Sequence, residues 1–195
     1  MKILFVSFMA YLLGSVPTGL LIAKRRGVDV RTSGSGNIGA TNVLRTAGKG
    51  AAAGTLIGDA LKGAFAALIG RYFFPENVYA EGAVGLCAIL GHDFSCFLKL
   101  RGGKGVATSL GVLGVYAPAT GLFAVAVWAV TVLVTKYSSL GALVSFGLLP
   151  VGILLFDTRE KLPFSLLVAT LLFIRHKDNI TRLAAGKEPR IGGKT

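Results

Sequence analysis

The stretch GVATSLGVLGVYAPATGLFAVAVWAVTVLVT, residues 105–135, decides the fold of this chain. It is an apolar run of 31 residues, flanked by Lys104 and Lys136 and interrupted by Tyr116, Ala117 and Pro118. One straight helix of that length would measure ~46 Å, well beyond a hydrocarbon core of ~30 Å. The proline and the residue before it disfavour a continuous helix. The run therefore reads as a hairpin turning at Pro118, with two short or tilted membrane segments.

Outward from this run, further apolar stretches lie at about residues 3–23, 50–72, 78–98, 138–156 and 162–175. The composition agrees with membrane burial. Of 195 residues, 53% are hydrophobic and only 15% charged, where a soluble domain carries roughly a quarter charged. Spans of ~20 residues use up the whole chain, so one polytopic membrane domain over residues 1–195 is expected. The opening MKILFVSFMAYLLGSVPTGLLIAKRRG places its basic cluster, Lys24, Arg25 and Arg26, after the apolar run. A cleavable secretory signal has the reverse arrangement, so this segment reads as a retained helix whose C-terminal end is cytoplasmic.

The basic residues set the parity. With the hairpin the chain has seven transmembrane helices, its N-terminus outside and its C-terminus cytoplasmic. The inside then holds Lys24, Arg25, Arg26, Arg31, Arg45, Lys49, Lys99, Arg101, Lys104 and Lys136, together with Arg175, Lys177, Arg182, Lys187, Arg190 and Lys194. Lys2, Arg71, Arg159 and Lys161 fall outside, and Lys62 lies within a span. Without the hairpin the basic tail would sit on the wrong face. The expected class is an all-α integral membrane protein, and the net charge of +12 speaks for orientation and anionic lipid or substrate rather than nucleic acid. Cys87 and Cys96 show no metal-ligand spacing and read as packing residues.

Three polar segments would then share the cytoplasmic side. In RGGKGVATSLG, residues 101–111, the lysine lacks both the upstream glycine and the following Ser or Thr of a Walker A loop. What remains is Gly102, Gly103 and Gly105 around Lys104, just ahead of a helix start. That arrangement suits phosphate, and it equally suits a basic turn facing lipid head groups. In SGSGNIGATNVLR, residues 33–45, Ser35, Asn37, Thr41, Asn42 and Arg45 supply more hydrogen-bonding groups than a connecting loop needs. A loop folded around a phosphate or polyhydroxyl ligand would use them, with Arg45 able to make a bidentate contact. In RHKDNITRLAAG, residues 175–186, His176, Asn179, Arg182 and Leu183 share a helical face, as a lipid-anchoring helix or as part of a site.

Ionisable groups inside spans are functional by default. Asp59 and Lys62 stand at i and i+3, as a helix clamp or as site residues; His92 reads as a helix-end hydrogen-bonder or a general base. Gly50, Gly54 and Gly58 form a small-residue stripe for a close helix approach.

SGSGNIGATNVLR, GDALKG (58–63), GHDFSCFLKLRGGKGVATSLG (91–111) and HKDNITRL (176–183) together resemble the bacterial acyl-phosphate:glycerol-3-phosphate acyltransferase family. The resemblance covers nearly the whole chain; Leu100-Arg101 departs from the family's usual aromatic residue and lysine without touching the glycine-lysine core. It implies acyl transfer from acyl phosphate to the sn-1 hydroxyl of glycerol 3-phosphate, giving lysophosphatidic acid and inorganic phosphate, the first step of bacterial phospholipid synthesis. It implies an inner-membrane location, no metal and no cofactor. It also implies a soluble enzyme that makes the acyl phosphate as a candidate partner. Ser35 and Arg45, then Lys104, then His176 and Asn179 are the catalytic positions so implied. Gly102, Gly103 and Gly105 match its glycerol-3-phosphate site, and Glu188 matches an acidic residue tied to structural integrity.

Other classes fit less well. A solute transporter should show internal repeats and a midplane site, and a phosphatidyl-alcohol transferase would need clustered carboxylates, whereas nine acidic residues are scattered singly. There is no G-x-S-x-G elbow, and Phe97 occupies the aspartate position of an H-x4-D acyltransferase.

Overall fold

The computed structural model describes residues 1–191 and is helical throughout. Lys194, counted above among the cytoplasmic basic residues, lies outside the described residues. The chain divides into two compact units, Met1–Tyr116 and Ala117–Thr195. The division falls at the interruption that the sequence places before Pro118. Helix α6, Val106–Tyr116, ends there, and α7, Pro118–Thr135, begins with the proline in its first turn, where a missing N–H costs nothing.

In the first unit α1 (Lys2–Ser15) and α2 (Thr18–Lys24) are separated by Val16 and Pro17, followed by a loop and then α3 (Ala40–Ala47), α4 (Lys49–Phe73), α5 (Val78–Asp93) and α6. Two glycine-mediated crossings set its geometry. A Cβ on Gly63 would collide with the Thr108 carbonyl, and one on Gly111 with the Ala60 carbonyl, so α4 and α6 approach backbone to backbone. Gly14 meets the Ala88 carbonyl and Gly91 the Tyr11 carbonyl in the same reciprocal way between α1 and α5. In lipid, where helix association depends on van der Waals contact and hydrogen bonds, such small residues permit the closest packing. The expected stripe of Gly50, Gly54 and Gly58 plays a lesser part. It meets only side chains of the α2 region, Arg26, Ile22 and Thr18.

The opposite face of α4 carries exposed Leu56, Ile57, Leu61, Phe65 and Leu68, while Asp59 and Lys62 point inward and are buried. This division is the one a bilayer demands. Lys2–Lys24, Lys49–Phe73, Val78–Leu98 and Pro118–Thr135 are long and apolar enough to cross a membrane. The pair α8 (Ser138–Gly147) and α9 (Leu149–Phe156), bent by 46°, makes a fifth if it counts as one span. Helices occupy all seven expected stretches, but α6 has 11 residues and α10 (Leu162–Arg175) has 14, ~16 and ~21 Å at 1.5 Å per residue.

In the second unit α7 packs on α8 and α9, and α10 packs on the same two helices. Phe146, Leu149, Ile153, Val168 and Leu172 are buried. Cys87 is half-buried as expected of a packing residue, but Cys96 is exposed, so it packs into no core.

Candidate active site

The first polar loop is shaped by one buried side chain. Asn42, 2% exposed, accepts the Ser35 N–H at 2.8 Å through Oδ1. Its Nδ2 donates to the Asn37, Ser33 and Val30 carbonyls at 2.8, 3.0 and 3.0 Å. Gly34 and Gly36 take positive φ there, and a Cβ on Gly34 would strike the Asn42 carboxamide. Asn42 therefore builds the loop. Asn37 also serves the fold, accepting the Gly39 N–H at 3.1 Å just before α3. Ser35 is left exposed, and half-buried Thr41 and Arg45 share a face of α3, one turn apart.

The glycine-lysine turn folds back on the end of α5. The Gly102 N–H donates to the Asp93 carbonyl at 3.1 Å and the Gly103 N–H to the His92 carbonyl at 3.0 Å. These two amides, expected from the sequence to face a ligand, are thus already engaged. The anion-attracting groups lie one step on. Gly105, at φ +75°, opens α6. The first amide to bond back within that helix is that of Ser109, to the Gly105 carbonyl at 2.7 Å. The amides of 106–108 precede that bond at a helix N-terminus, where the helix dipole favours negative charge, and Lys104 is half-buried beside them. Leu98, just before the turn, packs against the same apolar cluster as Val30, Ile38 and Val43 under the first loop. Loop and turn are therefore anchored to one core.

Behind the turn lies a polar cluster that the sequence divides among three segments. Lys62 Nζ sits 2.9 Å from Asp59 Oδ1, 2.9 Å from the Val16 carbonyl and 2.9 Å from His92 Nδ1. Thr18 donates its hydroxyl to Asp59. All three ionisable groups are buried. Asp59 and Lys62 form the helix clamp that the i, i+3 spacing allows, and the clamp also reaches His92. No periodicity in the sequence points to that third member.

In the second unit His176, 3% exposed, stands between α10 and α11 (Lys177–Ala184), its Nδ1 2.9 Å from the Leu172 carbonyl. A carbonyl can only accept, so Nδ1 carries a proton. Asn179 is buried and donates to Glu188 Oε1 at 2.6 Å. Ser139 donates to the same oxygen at 2.7 Å, and Arg182 Nε to Oε2 at 2.7 Å. Burial would raise the Glu188 carboxyl, but these three donors outweigh it and hold it below the ordinary glutamate value. The structural role implied for Glu188 has a concrete form: it ties α11 to the start of α8. Arg190 extends the tie, donating to the Tyr137 hydroxyl at 3.2 Å.

A protein-family model described as glycerol-3-phosphate acyltransferase matches residues 4–186. The glycerol-3-phosphate acyltransferase of Jannaschia sp. (strain CCS1) is 49% identical over 187 residues, 95% of this chain and 91% of that one. The enzyme of the same name from Dinoroseobacter shibae is 49% identical over 190 residues, 97% and 93% of the two chains. Among solved structures, the glycerol 3-phosphate form of PlsY (YgiH), an integral membrane glycerol 3-phosphate acyltransferase, matches with a TM-score of 0.93. The identity is 38% over 98% of this chain and 96% of that one. Its lysophosphatidic acid form matches at 0.90. This is an all-helical integral membrane protein, and it belongs to the glycerol-3-phosphate acyltransferase family.

Proposed function

We propose that this protein transfers a fatty acyl group from acyl phosphate to the sn-1 hydroxyl of glycerol 3-phosphate, releasing inorganic phosphate and lysophosphatidic acid, as the first step of bacterial phospholipid synthesis. The observation that carries the reading is the Lys104 turn leading into the N-terminus of α6. It sets a lysine beside a helix N-terminus, on a backbone fixed by α5, an arrangement that suits a phosphate. Both reactants are anions, and acyl phosphate is an activated mixed anhydride, so positioning and charge stabilisation suffice for catalysis. The hydroxyl oxygen attacks the acyl carbonyl carbon, the carbon–oxygen bond to phosphate breaks, and the leaving phosphate takes the hydroxyl proton.

In this reading Lys104 and the α6 amides hold the glycerol phosphate, and Gly102, Gly103 and Gly105 shape the turn that presents them. Ser35, Thr41 and Arg45 serve as polar contacts of the first loop, whose shape depends on Asn37 and Asn42. His176, Asn179 and Arg182 are assigned from the family resemblance, Asn179 and Arg182 acting from the hydrogen-bonded cluster around Glu188. The single family model running through both units supports one acyltransferase domain. The basic-residue pattern supports seven membrane segments with the N-terminus outside, the C-terminus cytoplasmic and the site on the cytoplasmic side of the inner membrane. Delivery of the acyl phosphate by the soluble enzyme that makes it completes the scheme.

The test is a phosphate-release assay with purified protein, acyl phosphate and glycerol 3-phosphate, without added metal and with acyl-CoA as the control donor. Release dependent on glycerol 3-phosphate is expected, and equal or better use of acyl-CoA would overturn the donor. With the donor phosphate as base, His176→Gln retains turnover within about tenfold. A fall of ~10²–10⁴ would assign the proton to a histidine.

A further inference from the structure

The Asp59–Lys62–His92 cluster lies one layer behind the glycine turn, and Lys62 stands at its centre. A lysine ammonium has three donors and no acceptor. Lys62 Nζ has three neighbours at bonding distance: Asp59 Oδ1, the Val16 carbonyl and His92 Nδ1, each at 2.9 Å. Its charge is matched by the Asp59 carboxylate, which also accepts from Thr18. The Val16 carbonyl faces Lys62 because the chain breaks between α1 and α2 at Val16 and Pro17. Asp59 Oδ1 also approaches His92 Nδ1, at 3.4 Å, but the Lys62 ammonium is nearer at 2.9 Å, and this shorter contact assigns His92 Nδ1 as the acceptor. The imidazole is then neutral, with its proton on Nε2. That nitrogen lies against Gly103: a Cβ there would overlap the ring at Nε2. The His92 carbonyl in turn accepts the Gly103 N–H at 3.0 Å. Ring and main chain of His92 thus both press on the residue next to Lys104.

We propose that Lys62 and Asp59 are positioning residues for the phosphate cradle. They lock His92 in its Nε2–H form and in one ring orientation, and the locked ring and carbonyl hold Gly103, and with it Lys104, in the conformation that receives the acceptor's phosphate. The proposal rests on reading the turn as the glycerol phosphate site. Three consequences follow from the geometry. His92 is not the general base, since its Nδ1 lone pair is bound to an ammonium and its Nε2 carries the proton. The ion pair serves acceptor binding in addition to clamping α4. Position 103 must remain glycine, because any side chain would displace the ring that Lys62 orients.

Two measurements test this. The protein contains two histidines, so ¹⁵N-histidine labelling of the intact protein in nanodiscs gives a spectrum of two rings. One ring, lost in His92→Asn, should show an imine-type Nδ1 and a protonated Nε2. A protonated Nδ1 on that ring would overturn the lock whether or not the protein is active. The second measurement compares Lys62→Met with the double variant Asp59→Asn/Lys62→Met, which removes both charges of the ion pair together. Outer partners that orient a binding group are typically worth about 10–100-fold. The KM for glycerol 3-phosphate should therefore rise about tenfold or more in both variants, with the KM for acyl phosphate changed by less than about twofold. If the double variant regains wild-type stability and a wild-type KM for glycerol 3-phosphate, the pair is only a clamp and the proposal falls; it falls equally if both KM values move together. A wild-type protein inactive with glycerol 3-phosphate would instead remove the underlying reading of the turn, while the ¹⁵N spectrum would still decide the state of His92.

Discussion

His92 and His176 occupy equivalent positions in their own units and have opposite chemistry. Each stands at the C-terminal end of an apolar helix, and each is almost wholly buried, at 4% and 3% exposed. The Nδ1 of His92 lies 2.9 Å from the Lys62 ammonium, which in the proposed lock donates to it, whereas the Nδ1 of His176 donates to the Leu172 carbonyl. In its neutral form His176 therefore carries its lone pair on Nε2, the nitrogen that is protonated in His92. Burial and helix position are shared, and the partner alone decides the tautomer. A general base needs a lone pair, so under the proposed lock only His176 remains eligible among the two.

The largest expected effect breaks this comparison on the His92 side. Lys104→Ala removes the side-chain charge from the turn while leaving the backbone contacts of Gly102 and Gly103 with α5 in place. Loss of one pre-organised donor to a developing or bound anion typically costs 10²–10³ in rate, so kcat/KM for glycerol 3-phosphate should fall by about that factor. Lys104→Arg should recover only part of it, because a planar fork does not replace a compact ammonium. An Ala variant with normal acceptor kinetics would detach the turn from substrate.

Gly103→Ala comes next. The new methyl group overlaps the His92 ring, which is buried and held by Lys62, so it cannot swing aside without breaking that bond. Overpacking of this kind costs about 1–3 kcal/mol. A lower Tm together with a raised KM for glycerol 3-phosphate is expected. The control is Gly114→Ala on α6, where an added Cβ meets nothing within 4 Å.

The contrast between the two histidines was not legible in the sequence, and the reason is physical. Hydropathy located helices at every apolar stretch because bilayer burial acts on long averages of side-chain polarity. Pro118 marked the break because its ring acts on its immediate neighbours. Partners far apart in the chain leave no such trace. Lys62 is 30 positions from His92 and Ser139 is 49 from Glu188. Asn42 looks from its sequence neighbours like a ligand contact, yet the loop folds around it and takes up its carboxamide. The crossings at Gly63, Gly111, Gly14 and Gly91 were hidden among 27 glycines, since only the docked neighbour shows which one lacks room for a methyl group.

On the His176 side the cluster is tuned by pH through Glu188. Its carboxyl lies below the ordinary glutamate value in the folded protein because Ser139, Asn179 and Arg182 outweigh the burial that opposes them. A depressed acid contributes stability that is complete above its unfolded pKa of ~4.3 and is lost as the pH falls through the lowered folded value. The tie between α11 and α8 should therefore loosen only in acid, below ~4.3, seen as increased proteolysis after Gly186. Glu188→Gln should weaken the tie at neutral pH by roughly 0.5–1.5 kcal/mol and flatten the acid dependence. An unchanged acid profile in this variant would place the titrating group elsewhere.

The smallest effect is expected where a strong pairing has no buried consequence. Asp29 is held at a pKa of about 2, chiefly by the hydrogen bond from the Arg31 side chain and then by the Arg31 backbone amide. The guanidinium reaches both carboxylate oxygens, at 3.0 and 2.7 Å. The pair is as well formed as that of Arg182 with Glu188, but its side chains are 48% and 33% exposed against 35% and 5%. Exposed pairs are screened by water and salt and contribute little net stability. Asp29→Ala should therefore leave Tm and both KM values unchanged within error, at low salt as at high. A selective fall in the KM for glycerol 3-phosphate would mean that Arg31, released from Asp29, reaches the acceptor site, and the first loop would then join the Lys104 turn in holding phosphate.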